Sequence, residues 1–130
     1  MGKPVAKQGD RVVGIDTHIV MIPSPGGPVP TPMPFAFSGP LQDSLSSTTF
    51  IDNKGVAVKG SGASNTPSHI PVGGSFQKPP SNHATVSSGS ATVFVDNKPV
   101  ARASDTAKCC NDPNDGDTGL VVATGKAFAG

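Results

Sequence analysis

A short motif that returns along the chain constrains this sequence more than any other feature. Residues 48–61, Thr-Thr-Phe-Ile-Asp-Asn-Lys-Gly-Val-Ala-Val-Lys-Gly-Ser, align at an offset of 44 with residues 92–105, Thr-Val-Phe-Val-Asp-Asn-Lys-Pro-Val-Ala-Arg-Ala-Ser-Asp, and seven of the fourteen pairs are identical. Gly2-Lys3-Pro4-Val5-Ala6-Lys7 resembles Asn97-Lys98-Pro99-Val100-Ala101-Arg102 and supplies a third half-copy that lacks its leading strand. The missing strand is expected from the far end, because Val122 to Phe128 repeats the Val-x-x-Gly-x-Ala pattern of Val86 to Thr92. The termini then meet and close a ring of three. Each full copy reads as a hairpin: Thr92 to Val95 is β-branched and aromatic, Asp96-Asn97 tolerate the positive φ of a two-residue turn, and Pro99 opens a second short strand at an edge position. A unit with this pseudo-threefold order fits a trimeric partner.

Composition supports an all-strand reading. The 130 residues include 16 Gly and 14 Pro and no Glu, Trp or Tyr. The longest stretch free of Gly and Pro, Leu41 to Lys54, mixes Ser, Thr and apolar residues, which excludes long amphipathic helices and helical bundles. No apolar stretch approaches the ~18 residues of a membrane-spanning helix. A net charge of +1 with few Arg argues against nucleic acid as a partner. Met1-Gly2-Lys3-Pro4 is followed by no apolar signal segment, so Sec export is not expected. The expected fold is mainly β, a single domain over 1–130 with long loops: a half-repeat over 1–18, a polyproline-like strap over 23–40, repeats over 48–69 and 83–109, and a closing strand over 120–130. Val, Phe, Ile and Leu are few enough that the core is thin and needs a clamp.

Metal binding would supply one. His18 follows Lys3 by the same fifteen residues that separate His69 from Lys54, and Cys109 follows the third anchor, Lys98, by eleven. His83 stands just before the third hairpin, and His18-Ile19-Val20-Met21, His69-Ile70-Pro71-Val72 and His83-Ala84-Thr85-Val86 look alike. Three imidazoles and a thiolate make a closed tetrahedral set suited to structural zinc, worth on the order of 10 kcal/mol to folding. Surface histidines are the competing reading, and Cys109-Cys110 also admits a vicinal disulfide or two inert thiols. Asn111 to Asp117 has the look of a calcium loop without its acidic last ligand, so a solvated Asx-rich turn is expected there. Four protein ligands leave no position for water and no Glu is present to act as base, so the chain is not expected to be an enzyme.

These residues resemble the PAAR-repeat family. The resemblance rests on Lys98-Pro99-Val100-Ala101-Arg102 with Asp105, on Lys3-Pro4-Val5-Ala6-Lys7 with Gly9-Asp10, and on Gly89 to Val95, and it spans essentially the whole chain. It implies a small conical protein, closed near its apex by zinc, that caps the trimeric spike of contractile injection systems such as type VI secretion systems, phage-like tails and extracellular particles. The implied partner is a VgrG-like or phage-spike-like trimer, one copy of this chain per trimer, with effector cargo as a further partner and only transient membrane contact during piercing. His18, His69 and His83 look like the imidazole ligands. Cys109 is favoured over Cys110 because it stands four residues after Asp105, as the family's ligand does. The middle copy, Gly55-Val56-Ala57-Val58, lacks the Pro and Arg, and the insert over 23–40 is longer than a minimal member needs. Strand edges and Val56, Val58, Val93 and Val95 are the expected docking surface. A small zinc hydrolase with an incomplete ligand set, and an effector-loading adaptor that docks cargo on the strap, are the alternatives.

Overall fold

In the computed structural model, which describes residues 2–130, all regular structure is β-strand and no helix occurs among the described residues. The strands are β1 (Lys3–Pro4), β2 (Arg11–Ile22), β3 (Val29–Asp43), β4 (Phe50–Ile51), β5 (Lys54–Gly55), β6 (Gly62–Ser64), β7 (Ser75–Phe76), β8 (His83–Val86), β9 (Phe94–Val95), β10 (Lys98–Pro99), β11 (Thr106–Cys109), β12 (Gly116–Val122) and β13 (Phe128–Ala129). Strands β2, β3, β6, β8, β11 and β12 pair antiparallel in that order, and β12 pairs back onto β2 to close a six-stranded barrel. Where β12 meets β2 the sheet closes on itself and has no edge. Six strands enclose a narrow interior, so many inward positions are held by small residues such as Ala63, Ala84 and Ala107, and Phe37 and Leu41 are the largest fully buried apolar side chains among the described residues. A Cβ on Gly14 would lie 2.6 Å from the Thr118 carbonyl oxygen, which is why that inward position carries no side chain.

Three short hairpins stand at one end of the barrel. Strand β4 pairs with β5, β9 with β10, and β13 with β1, so the chain termini form the third hairpin, as the repeat led us to expect. Asp52-Asn53 and Asp96-Asn97 take positive φ, between 52° and 64°, in the two closed turns. The hairpins meet in a cyclic set of backbone bonds: Ala57 N–H donates to Ala6 O, Ala6 N–H to Ala101 O, and Ala101 N–H to Ala57 O, each at 2.9 Å. Equivalent tight turns follow. Lys7 N–H donates to Asp10 Oδ2 at 3.0 Å, Val58 N–H to Ser61 Oγ at 2.9 Å, and Arg102 N–H to Asp105 Oδ2 at 2.7 Å. A shared side-chain acceptor in each turn explains why the repeat carries Asp or Ser at that place. Val5, Val56 and Val100 pack together inside the three hairpins as a small core of their own.

Two expectations change here. The proline-rich segment is no polyproline strap: from Val29 onward it is β3, paired with β2 over twelve residues. The reason lies in parity. Ser38 points its N–H to Asn65 Oδ1 and its C=O to Thr66 N–H, away from β2, and Pro30, Pro32, Pro34 and Pro40 share that orientation by alternation. Their missing N–H groups therefore fall on the side that the β2 ladder does not use. The other change concerns docking, because Val56 and Val58 are buried and unavailable as an outer surface.

Candidate metal centre

Strand β2 runs from the hairpin end at Arg11 toward the opposite end, and alternation places Val12, Asp16, His18 and Val20 on its inner face. At about 3.3 Å per residue, His18 stands ~23 Å from Arg11 along the strand. The loop after β6 brings His69 over this face, and the chain leaving β11 brings Cys110. One ligand atom from each of Asp16, His18, His69 and Cys110 lies within 4.8 Å of the other three. Asp16 Oδ2 is 2.9 Å from His69 Nε2 and 3.3 Å from Cys110 Sγ, and Cys110 Sγ is 3.6 Å from His18 Nε2. All four side chains are buried.

The sequence expectation and the structure share two of these residues. His18 and His69 meet; His83 and Cys109 are not members of the group. His83 belongs to β8, where Ala84 and Val86 take the inner face, so His83 points outward. Its ring is 42 % exposed and pairs with Asp43 at 3.2 Å on the surface. Cys109 is buried in the barrel core beside Ala107 and Val12. Strand β11 ends at Cys109, and past its end Cys110 is buried as well. Both cysteines are free thiols. As a ligand, Asp16 was missed by sequence reasoning, although the alternation Val12-x-Gly14-x-Asp16-x-His18-x-Val20 carries the signal.

The segment expected as a solvated turn does structural work at its start. Asn111 Oδ1 accepts the Thr17 N–H at 2.7 Å, Asp112 Oδ2 accepts the Ile19 N–H at 3.0 Å, and the Asp112 N–H donates to Thr17 O at 2.8 Å. These bonds fasten the loop bearing Cys110 to the strand bearing Asp16 and His18. On the other side, the His69 N–H donates to Asn82 Oδ1 at 2.8 Å, and the Asn65 amide nitrogen lies 3.2 Å from His69 Nδ1. Phe35 and Phe76 flank the histidine pair, with ring centroids 5.4–5.8 Å from the nearer imidazoles and from each other. The two rings cover one side of the group.

The donors fit a divalent cation. Asp16 Oδ1 and His18 Nδ1 are buried without hydrogen-bond partners, a costly arrangement unless an ion draws on the carboxylate and on the far nitrogen of the imidazole. Asp112 Oδ2, 3.6 Å from His18 Nδ1, is placed to orient that ring once Nε2 is engaged. Burial holds His18 below its usual 6.5, an effect only partly opposed by Asp112, so the ring is a neutral donor. Burial first and the Asp16 charge second push the Cys110 thiol up, and push Cys109 to about 12. A cation reverses this for the thiol it touches. Tetrahedral ligation at about 2.0–2.3 Å implies donor separations of about 3.3–3.6 Å; the Cys110–Asp16 and Cys110–His18 distances of 3.3 and 3.6 Å meet it, and Asp16–His69 at 2.9 Å is shorter.

A family model described as the PAAR motif matches residues 21–109, more than half of the chain. No curated protein matches it. The match takes in the second and third hairpins, β3, His69 and His83. Proteins of that family are structural tips that sit on the spikes of injection systems. With the repeated hairpins, the closed all-β architecture and the buried donor group at one end, this match shows that the chain belongs to the PAAR-motif family.

Proposed function

We propose that this chain is a zinc-pinned tip that caps the trimeric spike of a contractile injection system, one copy per trimer. The observation that carries the reading is the cyclic bonding of Ala6, Ala57 and Ala101, by which one polypeptide presents three equivalent hairpins to a threefold partner. Each hairpin carries an exposed phenylalanine at the same register position: Phe50 opposite Gly55, Phe94 opposite Pro99 and Phe128 opposite Pro4, exposed by 56 %, 56 % and 61 %. Exposed aromatic side chains repeated about an axis are suited to burial against a complementary threefold surface. At the other end, zinc would be held by Asp16, His18, His69 and Cys110. Two anionic and two neutral donors balance the charge of the ion, which suits a buried site. The residues themselves join β2, the loop after β6 and the exit of β11, and so stiffen the end that meets the target envelope. Assembly in the bacterial cytoplasm followed by outward delivery accords with such a role.

The test is binding to a trimeric spike by the chain with Phe50, Phe94 and Phe128 all changed to Ser. Loss of binding with an unchanged melting temperature is the expected result. Undiminished binding would remove the hairpin face as the docking surface.

A further inference from the structure

The three junctions between hairpins and barrel share one backbone pattern and differ in chemistry. At each, one residue donates to the neighbouring hairpin: Gln8 N–H to Gly55 O at 2.9 Å, Lys59 N–H to Pro99 O at 2.8 Å, and Ala103 N–H to Pro4 O at 2.8 Å. The next residue donates to a barrel strand: Gly9 to Leu41 O, Gly60 to Val86 O, and Ser104 to Val121 O, at 2.8–3.1 Å. Gln8, Lys59 and Ala103 are therefore equivalent positions. Lys54, Lys98 and Lys3 are equivalent by hairpin register. Val13, Ser64 and Lys108, each three residues beyond the turn-closing Asp10, Ser61 and Asp105, are equivalent as well.

Side chains break this symmetry. One junction carries Gln8, Lys54 and Ser64; another carries Ala103, Lys3 and Val13 beside the exposed Leu120 and Val122. The remaining junction collects Lys59, Lys98 and Lys108. It is also concave: a cavity of about 670 Å³ is lined by these lysines with Thr85, Ser87 and Asp117. Among the described residues none of the three lysines is in an ion pair. The volume is in the range of peptide-sized sites and far exceeds a single phosphate. The N–H groups of Lys59 and Gly60 are spent on Pro99 and Val86, so they form no backbone cradle for a phosphate, and the three ammonium groups are the charged groups that attract an anion. The lining has no Arg for bidentate phosphate recognition and no aromatic ring on which a base would stack.

We propose that this groove binds an acidic polypeptide segment, one per chain. Only one of the three junctions collects the lysines around a cavity, so each chain offers a single such groove. The inference stands on the geometry of the junctions and is independent of the spike-tip reading.

The test is a fluorescence-anisotropy titration of the full chain with a dye-labelled oligo-aspartate peptide. Saturation at one peptide per chain is expected, with affinity that falls as salt is raised. Lys59→Gln with Lys108→Gln should weaken binding at least about tenfold, whereas Lys3→Gln with Lys54→Gln, the same charge change at the other junctions, should change it less than about twofold. Equal losses in the two double variants, three peptides per chain, or no binding would overturn the proposal. So would a single-stranded oligonucleotide or inorganic phosphate competing as well as unlabelled peptide. Amide shifts of Thr85 and Ser87 in the unmodified chain provide a readout that needs no variant, and their indifference to saturating peptide would also count against it.

Discussion

Replacing Asp16 by Asn is expected to move the melting temperature in opposite directions with and without a bound cation. Asp16 is fully buried; Oδ1 has no partner and Oδ2 faces His69 Nε2 and Cys110 Sγ. In chelator the buried carboxylate has only the His69 ring and the Cys110 thiol beside Oδ2 and nothing beside Oδ1, so several kcal/mol of its desolvation cost stay uncompensated. Asn keeps the shape and removes the charge, while its hydrogen bonds are weaker by about 1 kcal/mol. The net is a gain of about 2 kcal/mol, a rise of several degrees for a chain of this length. With zinc present the sign reverses, since Asn gives up an anionic ligand. An affinity lowered a hundredfold removes about 2.7 kcal/mol of ligand-linked stability. Paired thermal melts of both proteins, in chelator and in excess zinc, read the difference. A variant that melts lower by the same amount in both conditions would show that Asp16 is a structural acceptor and no ligand, and the reasoning would fail.

His83→Ala should leave metal stoichiometry unchanged and cost less than about 1 kcal/mol, because its pair with Asp43 is solvent-exposed; elemental analysis and a thermal melt check both. Asn65→Asp should tighten zinc binding about tenfold by competition titration, since its amide oxygen is occupied by the Ser38 N–H and its nitrogen faces His69 Nδ1, where a ligating ring needs an acceptor. In chelator, stability should fall as pH is lowered: burial holds His18 below 6.5, so between that lowered value and 6.5 the unfolded chain binds more protons than the folded one. Urea midpoints between about pH 7 and about pH 5 would show this, and a midpoint that rises on acidification would contradict it. Deleting residues 127–130 removes the β1–β13 hairpin and the bond from Val5 N–H to Ala127 O, and should lower the melting temperature and abolish spike binding together.

What was legible in the sequence was local chemistry that repeats. Asp-Asn before Lys sets a two-residue turn whatever surrounds it, so the hairpins and the meeting of the termini could be read directly. Strand β3 could not be read in the same way. Alternate prolines favour an extended solvated chain by composition, and their fit to a ladder depends on which side of the strand the neighbour occupies. The metal residues divide along the same line. His83 was grouped with His18 and His69 by likeness of the following residues, but Ala84 and Val86 claim the barrel interior and send His83 outward. Asp16 and His18 share parity with Val12 and Val20, a signal present in the sequence and obscured by attention to histidine spacing. Cys110 lies just past the end of β11, outside its alternation, so strand parity could not place it.

The most direct test is the mass of the complex formed with a cognate trimeric spike. If one chain closes its own threefold ring, native mass measurement gives a single copy on three spike subunits and no higher occupancy at excess. Three copies on three subunits would mean that each hairpin set is addressed separately, and the ring formed by Ala6, Ala57 and Ala101 would not be the element that matches the partner.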